Sequence, residues 1–261
     1  MNFRISIIAC LIVISSSSPV YSQPKTLPPP PAPGVQAGTI DGHLLVAVKG
    51  GCYLMGSDSG AADEQPVHEV CVDDFFLGRY EVTQEQWRQV MGENPSYFGR
   101  GGNYPVEQVS WNDVQAYLDR LNRRSGRNFR LPTEAEWEYA CRSGGKDEKY
   151  CGGDAVDSLA WHDANSNGAT HPVGTRQPNT LGLYDMSGNV WEWTGDRFDP
   201  AYYAASPRTN PLGSGSGSDR VFRGGAWNFK TKYLRATSRF WLTPDDRHFF
   251  LGFRLALPSA Q

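Results

Sequence analysis

The sequence predicts an α+β domain with little regular secondary structure, in which short strands and a few helices hold a long, loop-rich second half. Three observations carry this. Short runs of β-forming residues open the chain after position 43, three capped helix starts fall between residues 83 and 136, and helical patterning nearly stops beyond about Gly144. The 28 glycines and 12% aromatic residues suit a backbone that turns often and packs rings between loops.

Taken in order, residues 1–22 read as a secretory signal peptide. Arg4 precedes the apolar run Ile5 to Ile14, and the exit at Val20-Tyr21-Ser22 places cleavage after Ser22. The apolar core of about ten residues is well short of the roughly 20 that a bilayer-spanning helix needs, so no transmembrane anchor is expected. A rival reading takes Ile7-Ile8-Ala9-Cys10 as a lipoprotein acceptor. Against it, Cys10 lies inside the apolar run rather than at its end. Residues 23–42 form a proline-rich linker, whose stretch Pro28 to Gly34 favours extended polyproline geometry outside the fold. The folded domain is expected over 43–258.

Within it, Leu44 to Val48, a Lys49-Gly50-Gly51 turn and Cys52 to Met55 read as a hairpin, followed by a strand over His68 to Leu77. Thr83-Gln84-Glu85-Gln86, Ser110-Trp111-Asn112-Asp113 and Thr133-Glu134-Ala135-Glu136 each set a hydroxyl three residues before a carboxylate or amide, which satisfies the first free donors of a helix. The second helix puts Trp111, Val114, Tyr117, Leu118 and Leu121 on one face, ready to pack on a sheet. Gly213 to Ser218 is flexible low complexity, and no repeat recurs at a 20 to 50 residue period.

Net charge is −3 with no basic cluster, so the electrostatic footprint of a nucleic-acid binder is missing. After signal removal four cysteines remain: Cys52, Cys71, Cys141 and Cys151. Three pairings are open to them; the expected one joins Cys52 to Cys71 and Cys141 to Cys151, each closing a short loop valued at roughly 2 to 3 kcal/mol. Zinc spacing is absent.

A string of segments gives the domain its resemblance. They are Met55-Gly56-Ser57, Pro66-Val67-His68-Glu69-Val70, Tyr80-Glu81-Val82-Thr83, Pro105-Val106, Val109-Ser110-Trp111 and Arg130-Leu131-Pro132-Thr133-Glu134-Ala135-Glu136-Trp137-Glu138-Tyr139-Ala140. His171-Pro172-Val173-Gly174, Gly182-Leu183-Tyr184-Asp185-Met186-Ser187-Gly188-Asn189-Val190-Trp191-Glu192-Trp193, Arg223-Gly224-Gly225-Ala226-Trp227 and Leu251-Gly252-Phe253-Arg254 follow. In this order, across about residues 45 to 257, they resemble the formylglycine-generating-enzyme, or sulfatase-modifying-factor, family. The resemblance implies a fold related to C-type lectins, with small antiparallel sheets, flanking helices and structural calcium. Asp185, Gly188, Val190 and Glu192 match a calcium-site pattern of that family, Val190 through its carbonyl alone. The other reading has Asp185 and Glu192 capping turns or pairing with arginines. The family's second calcium site does not carry over around Ala160 to Asn165.

In the family's copper-dependent members, two cysteines after the Arg-x-Gly-Gly segment bind the metal and activate oxygen against a substrate cysteine. Here the stretch from Gly224 to Arg235 contains no sulfur, and Cys151 is the last cysteine of the chain, so no copper is expected. Iron-dependent relatives use histidines, one pair of them on a helix. His43, His68, His162, His171 and His248 offer no pair at helical spacing. No Gly-x-Ser-x-Gly elbow supports nucleophilic catalysis. What remains is a ligand groove expected from Trp227, Asn228, Phe229, Tyr233, Arg239, Trp241 and His248, where rings give contact area at low entropic cost and where lectin-type relatives vary their ligand surface. Core packing is the competing fate of each ring.

The expected function is therefore an exported, disulfide-linked, calcium-stabilised binding or accessory module of the cell envelope, periplasmic or secreted, with a peptide, protein or glycan ligand. The alternative is a non-thiolate, metal-dependent oxidoreductase acting on a peptide or small molecule. A third reading is a sulfatase-maturation factor whose thiols come from a partner.

Overall fold

The computed structural model describes residues 37–259. The expected signal peptide and most of the linker lie outside the described residues. Strand β1 (Ala37–Ile40) falls in the stretch assigned to the linker, so the fold begins earlier than residue 43. It pairs with β2 (His43–Val48) across Asp41-Gly42, where both residues have positive φ, 48° and 80°. Asp-Gly is a strong two-residue hairpin signal, and here it sets the first register.

The expected hairpin between 44–48 and 52–55 does not form. β2 continues into β3 (Gly51–Met55), while the expected strand over His68 to Leu77 divides into β4 (His68–Val72) and β5 (Phe75–Gly78). β3 pairs with β4 and β2 with β5, in one unbroken antiparallel register that runs from Met55 opposite His68 to Leu45 opposite Gly78. The result is one long ribbon kinked between two sheets. At the kink a Cβ on Gly50 would stand 2.4 Å from the Val72 carbonyl oxygen, so the close crossing needs glycine. Asp74 fixes the bend by accepting from Gly50 N at 2.9 Å and from Lys49 at 2.7 Å.

The three capped helices form where the sequence places them. α1 (Gln84–Met91), α2 (Trp111–Ser125) and α3 (Glu134–Cys141) start at Thr83, Ser110 and Thr133, each with a reciprocal capping box. α1 and α2 stop at left-handed Gly92 and Gly126. α2 buries Val114, Tyr117, Leu118 and Leu121, while Trp111 is half-buried. After α3, the single turn α4 (Val156–Leu159) is the helix found before β6 (Trp191–Arg197).

Another single turn, α5 (Tyr202–Ala205), precedes β7 (Arg220–Arg223), β8 (Arg239–Leu242), β9 (Leu251–Phe253) and β10 (Ala256–Pro258). The sheets run β1-β2-β5-β10, β3-β4 and β8-β7-β6-β9. Pairing is antiparallel except between β6 and β9, which are parallel. One apolar cluster packs α2 and Trp87 against Trp193 and Phe253. A second packs α3 against Tyr53, Val70 and Leu77. Trp137, Trp191 and Trp193 are fully buried, each worth on the order of 2 to 3 kcal/mol in area removed from water.

Both disulfides have the expected pairing. Cys52 and Cys71 face one another across β3 and β4, and Cys141 at the end of α3 ties down Cys151 in the following loop. No helix among the described residues is long and apolar enough to cross a membrane.

Candidate functional site

The segment after β7 places Trp227 against three different loops. Its N–H donates to the Asn189 carbonyl at 2.9 Å, its carbonyl accepts from Ser166 Oγ at 2.8 Å, and its indole N–H donates to the Phe249 carbonyl at 3.3 Å. Two of these bonds hold its backbone and one holds its ring, so the segment is fixed in place and the indole is anchored at its N–H. Phe98 packs edge-on against it at 5.3 Å between ring centres, Phe249 lies at 5.8 Å, and Tyr97 extends the set at 5.7 Å from Phe249. Tyr97 is 68% and Phe249 36% exposed, so the rings form a surface rather than a core. Asn228 is exposed beside them.

Glu107 holds the other wall of this face. Its carboxylate is buried and accepts from the N–H groups of Tyr97 at 3.1 Å and Phe98 at 2.8 Å. Burial pushes this carboxyl up to about 7, against those two hydrogen bonds. Tyr97, Phe98 and Glu107 were not singled out from sequence. Two adjacent rings in a loop that opens at Pro95 were the available signal.

The expected groove does not form as one surface. Phe229 turns inward and packs edge-on against Trp191 at 5.4 Å, and His248 stacks on Phe250 at 4.8 Å. Tyr233, Arg239 and Trp241 instead line a separate pocket of about 300 Å³ with Glu64, Lys232 and Phe240. Arg239 is no ligand group there. It is buried, donates to both oxygens of Glu134 at 2.8 and 2.6 Å, and gives a further bond to the Asp63 carbonyl at 2.9 Å. Trp241 is 39% exposed with one face stacked on Phe198 at 3.6 Å, leaving its other face for contact.

The four residues expected to hold calcium are adjacent but unevenly committed. Gly188 has φ 85°, and a Cβ there would stand 2.3 Å from the Trp161 carbonyl oxygen. Val190 is buried and donates its N–H to Glu81 at 3.0 Å. Glu192 accepts from Arg254 on both oxygens at 2.6 Å and from the Trp137 indole at 2.7 Å, which is the arginine pairing of the other reading. Asp185 accepts from Gly174 N at 2.6 Å through Oδ2, while its buried Oδ1 has no hydrogen-bond partner. Burial pushes this carboxyl up to about 6. Of the expected ligand carboxylates, then, one oxygen of Asp185 is open to a cation and Glu192 is saturated by Arg254. Glu81 was quoted in the sequence without a role. Burial, then the nearby charges of Asp185 and Glu192, push its carboxyl well up.

Among the described residues, no group of three or more His, Cys, Asp or Glu side chains is arranged to hold a metal ion. His162 is buried between Asp157 at 2.7 Å and Asp163 at 3.3 Å, and His171 stacks on Trp161 at 3.6 Å. All four described cysteines are in disulfides.

Comparison with known proteins bears on the domain and its fold. The profile of the sulfatase-modifying factor enzyme 1-like domain matches residues 35–258, which includes β1. The formylglycine-generating enzyme of Streptomyces coelicolor is 40% identical over 192 residues, covering 67% of this chain and 59% of that enzyme, so the match spans little more than half of the relative. The chaperone protein LppX of Paenibacillus barcinonensis is 33% identical over 235 residues, covering 70% of this chain and 78% of LppX. Among solved structures, Treponema denticola variable protein 1 superposes with a TM-score of 0.79 at 29% identity, covering 87% of this chain and all (100%) of that one.

Proposed function

Since this chain belongs to the sulfatase-modifying factor enzyme 1-like domain family, we propose that it is an exported binding or accessory module of that family whose ligand docks on the ring surface around Trp227. The observation that carries the reading is Trp227, its backbone bonded to Ser166 and its indole N–H to the Phe249 carbonyl, with Tyr97 and Phe249 exposed beside it. Rigid aromatic side chains supply contact area without much ordering cost. The absence of any cysteine after Cys151 supports binding over thiol oxidation, because a cuprous ion needs soft thiolate ligands. Similarity to a protein named as a chaperone supports an accessory role. Two disulfides and the N-terminal signal pattern support the periplasm or the extracellular medium as its compartment.

The ligand class is peptide, protein or glycan. Immobilised peptide and glycan panels probed with the mature protein, with Trp227→Ala and with Phe249→Ala separate these classes. A ligand retained by the wild type and lost by both variants, at unchanged melting temperature, is the expected result. Equal retention by all three proteins would defeat the reading.

The 40% identity to a formylglycine-generating enzyme favours the alternative, a metal-dependent oxidoreductase without thiolate ligands. Under that reading the protein from its native compartment carries one iron or copper per chain, which elemental analysis measures. A structural calcium remains part of the proposal through Asp185 alone, whose Oδ1 is the kind of oxygen a hard cation takes. Chelation is expected to lower the melting temperature and Asp185→Ala to remove that dependence. An unchanged melting curve removes calcium and leaves the binding module standing.

A further inference from the structure

At the far end of β6 from Trp227 lies a second, larger cavity of about 580 Å³. That volume falls in the range of small-molecule sites. It opens between the N-termini of α2 and α3, the end of β10 and the loop carrying Asn210 and Leu212, with Trp111, Leu131, Leu212 and Pro258 as its apolar walls.

The charges on these walls are unequal. Arg130 is held by both oxygens of Glu136 at 2.6 Å and donates again to the Leu131 carbonyl at 3.0 Å, so it offers little to an anion. Asp74 is neutralised by Lys49 at 2.7 Å. Among the described residues, Asp73 and Asp196 have no cationic partner within salt-bridge distance, in contrast to Asp74. Asp73 exchanges hydrogen bonds with the neutral amide of Asn210, at 2.9 and 2.7 Å.

Asp196 is 3% exposed. Its Oδ2 accepts from Glu134 N at 2.7 Å, and no hydrogen bond to its Oδ1 is found among the described residues. The charged groups facing it are Glu134 and Glu136 on α3, Arg239 on β8 and, beyond salt-bridge distance, Arg220 on β7. Arg239 is spent on Glu134, and Arg220 donates to the Gly195 carbonyl at 2.9 Å and lies over one face of Trp111 at 3.7 Å. Burial, then the Glu134 charge, push the Asp196 carboxyl up to about 8. A buried acid of that kind is stabilised in its charged form by a cation placed beside it.

We propose that this cavity binds an alkylammonium group, with Asp196 and Asp73 as counter-charges and the Trp111, Leu131 and Leu212 walls covering its apolar stem. A lysine side chain and a free primary amine share this chemistry. The site is independent of the ring surface around Trp227.

Calorimetric titration of the mature protein with n-pentylammonium, with pentanoate as control, tests it. The expected result is saturable binding of the amine and none of the acid. Asp196→Asn keeps an acceptor for Glu134 N and is expected to weaken the amine roughly tenfold or more, since a charge-assisted bond becomes a neutral one. Leu212→Arg sets a guanidinium at a rim position that is 74% exposed, so it tests the site even where the first variant folds poorly. It is expected to abolish amine binding. Nα-acetyl-lysine amide distinguishes the sources: binding as tight as the free amine points to a lysine side chain, and exclusion points to a small amine. Absence of saturable amine binding, equal binding of pentanoate, or wild-type affinity in folded Asp196→Asn and Leu212→Arg would overturn the proposal.

Discussion

Glu192 and Asp196 lie on the same strand, β6, both buried, and their surroundings give them opposite fates. Glu192 faces Arg254, whose guanidinium closes both carboxylate oxygens, and the Trp137 indole takes what capacity remains. Asp196 receives one backbone N–H and has one oxygen left over beside a cavity. Burial alone does not distinguish them, since both have lost their water. Pairing does: a carboxylate with a complete set of partners is structure, and one with an incomplete set in a cleft is a candidate site.

The largest expected effect tests the closed end of that strand. Arg254→Met leaves Glu192 buried without its partner and is expected to cost about 3 to 5 kcal/mol in urea unfolding, part of which returns on adding Glu192→Gln. A loss below about 1 kcal/mol would mean that the two carboxylates differ less than their partners imply. At the open end, Thr133→Ala removes the side-chain acceptor for Glu136 N at the start of α3 and is expected to cost about 1 kcal/mol. Asp196→Asn, four positions after Glu192, keeps its acceptor for the same helix end and is expected to cost less than Thr133→Ala at neutral pH.

The pH dependence sharpens the contrast. Asp196 binds its proton up to about 8 in the folded protein, against an ordinary aspartate value of about 4 in the unfolded chain. The folded state therefore holds the extra proton, and stability is highest below that window and falls as pH rises through it. Glu107 acts with the same sign up to about 7. Denaturant midpoints measured across this range are expected to lose part of their slope in Asp196→Asn and another part in Glu107→Gln. The smallest stability effect is expected at the ring surface, where Phe249→Ala changes unfolding free energy by less than about 1 kcal/mol because a third of the ring is already in water.

Local chemistry was legible in the sequence and long-range pairing was not. The three capping boxes need only residues three apart, and all three form. The choice of strand partner is non-local, which is why 44–48 was paired with 52–55 instead of with 75–78. β1 had its Asp41-Gly42 signal, obscured by the prolines before it. The disulfide pairing was within reach because both loops are short. Arg239 read as a ligand group because Glu134 lies 105 residues away, and Glu192 read as a cation ligand because Arg254 lies 62 residues away. The segments after β7 showed that rings gather there but not which of them face solvent, since exposure of Phe249 and partial burial of Phe229 depend on neighbours from Tyr97 to Trp191.

The proposed loss of thiol chemistry is tested most directly by incubating the purified protein aerobically, with copper, on a cysteine-containing peptide, and weighing the peptide by mass spectrometry beside an active formylglycine-generating enzyme. The peptide is expected to keep its sulfur and its mass with this protein while the enzyme converts it. Appearance of the aldehyde product with this protein alone would contradict the reading of it as a binding module.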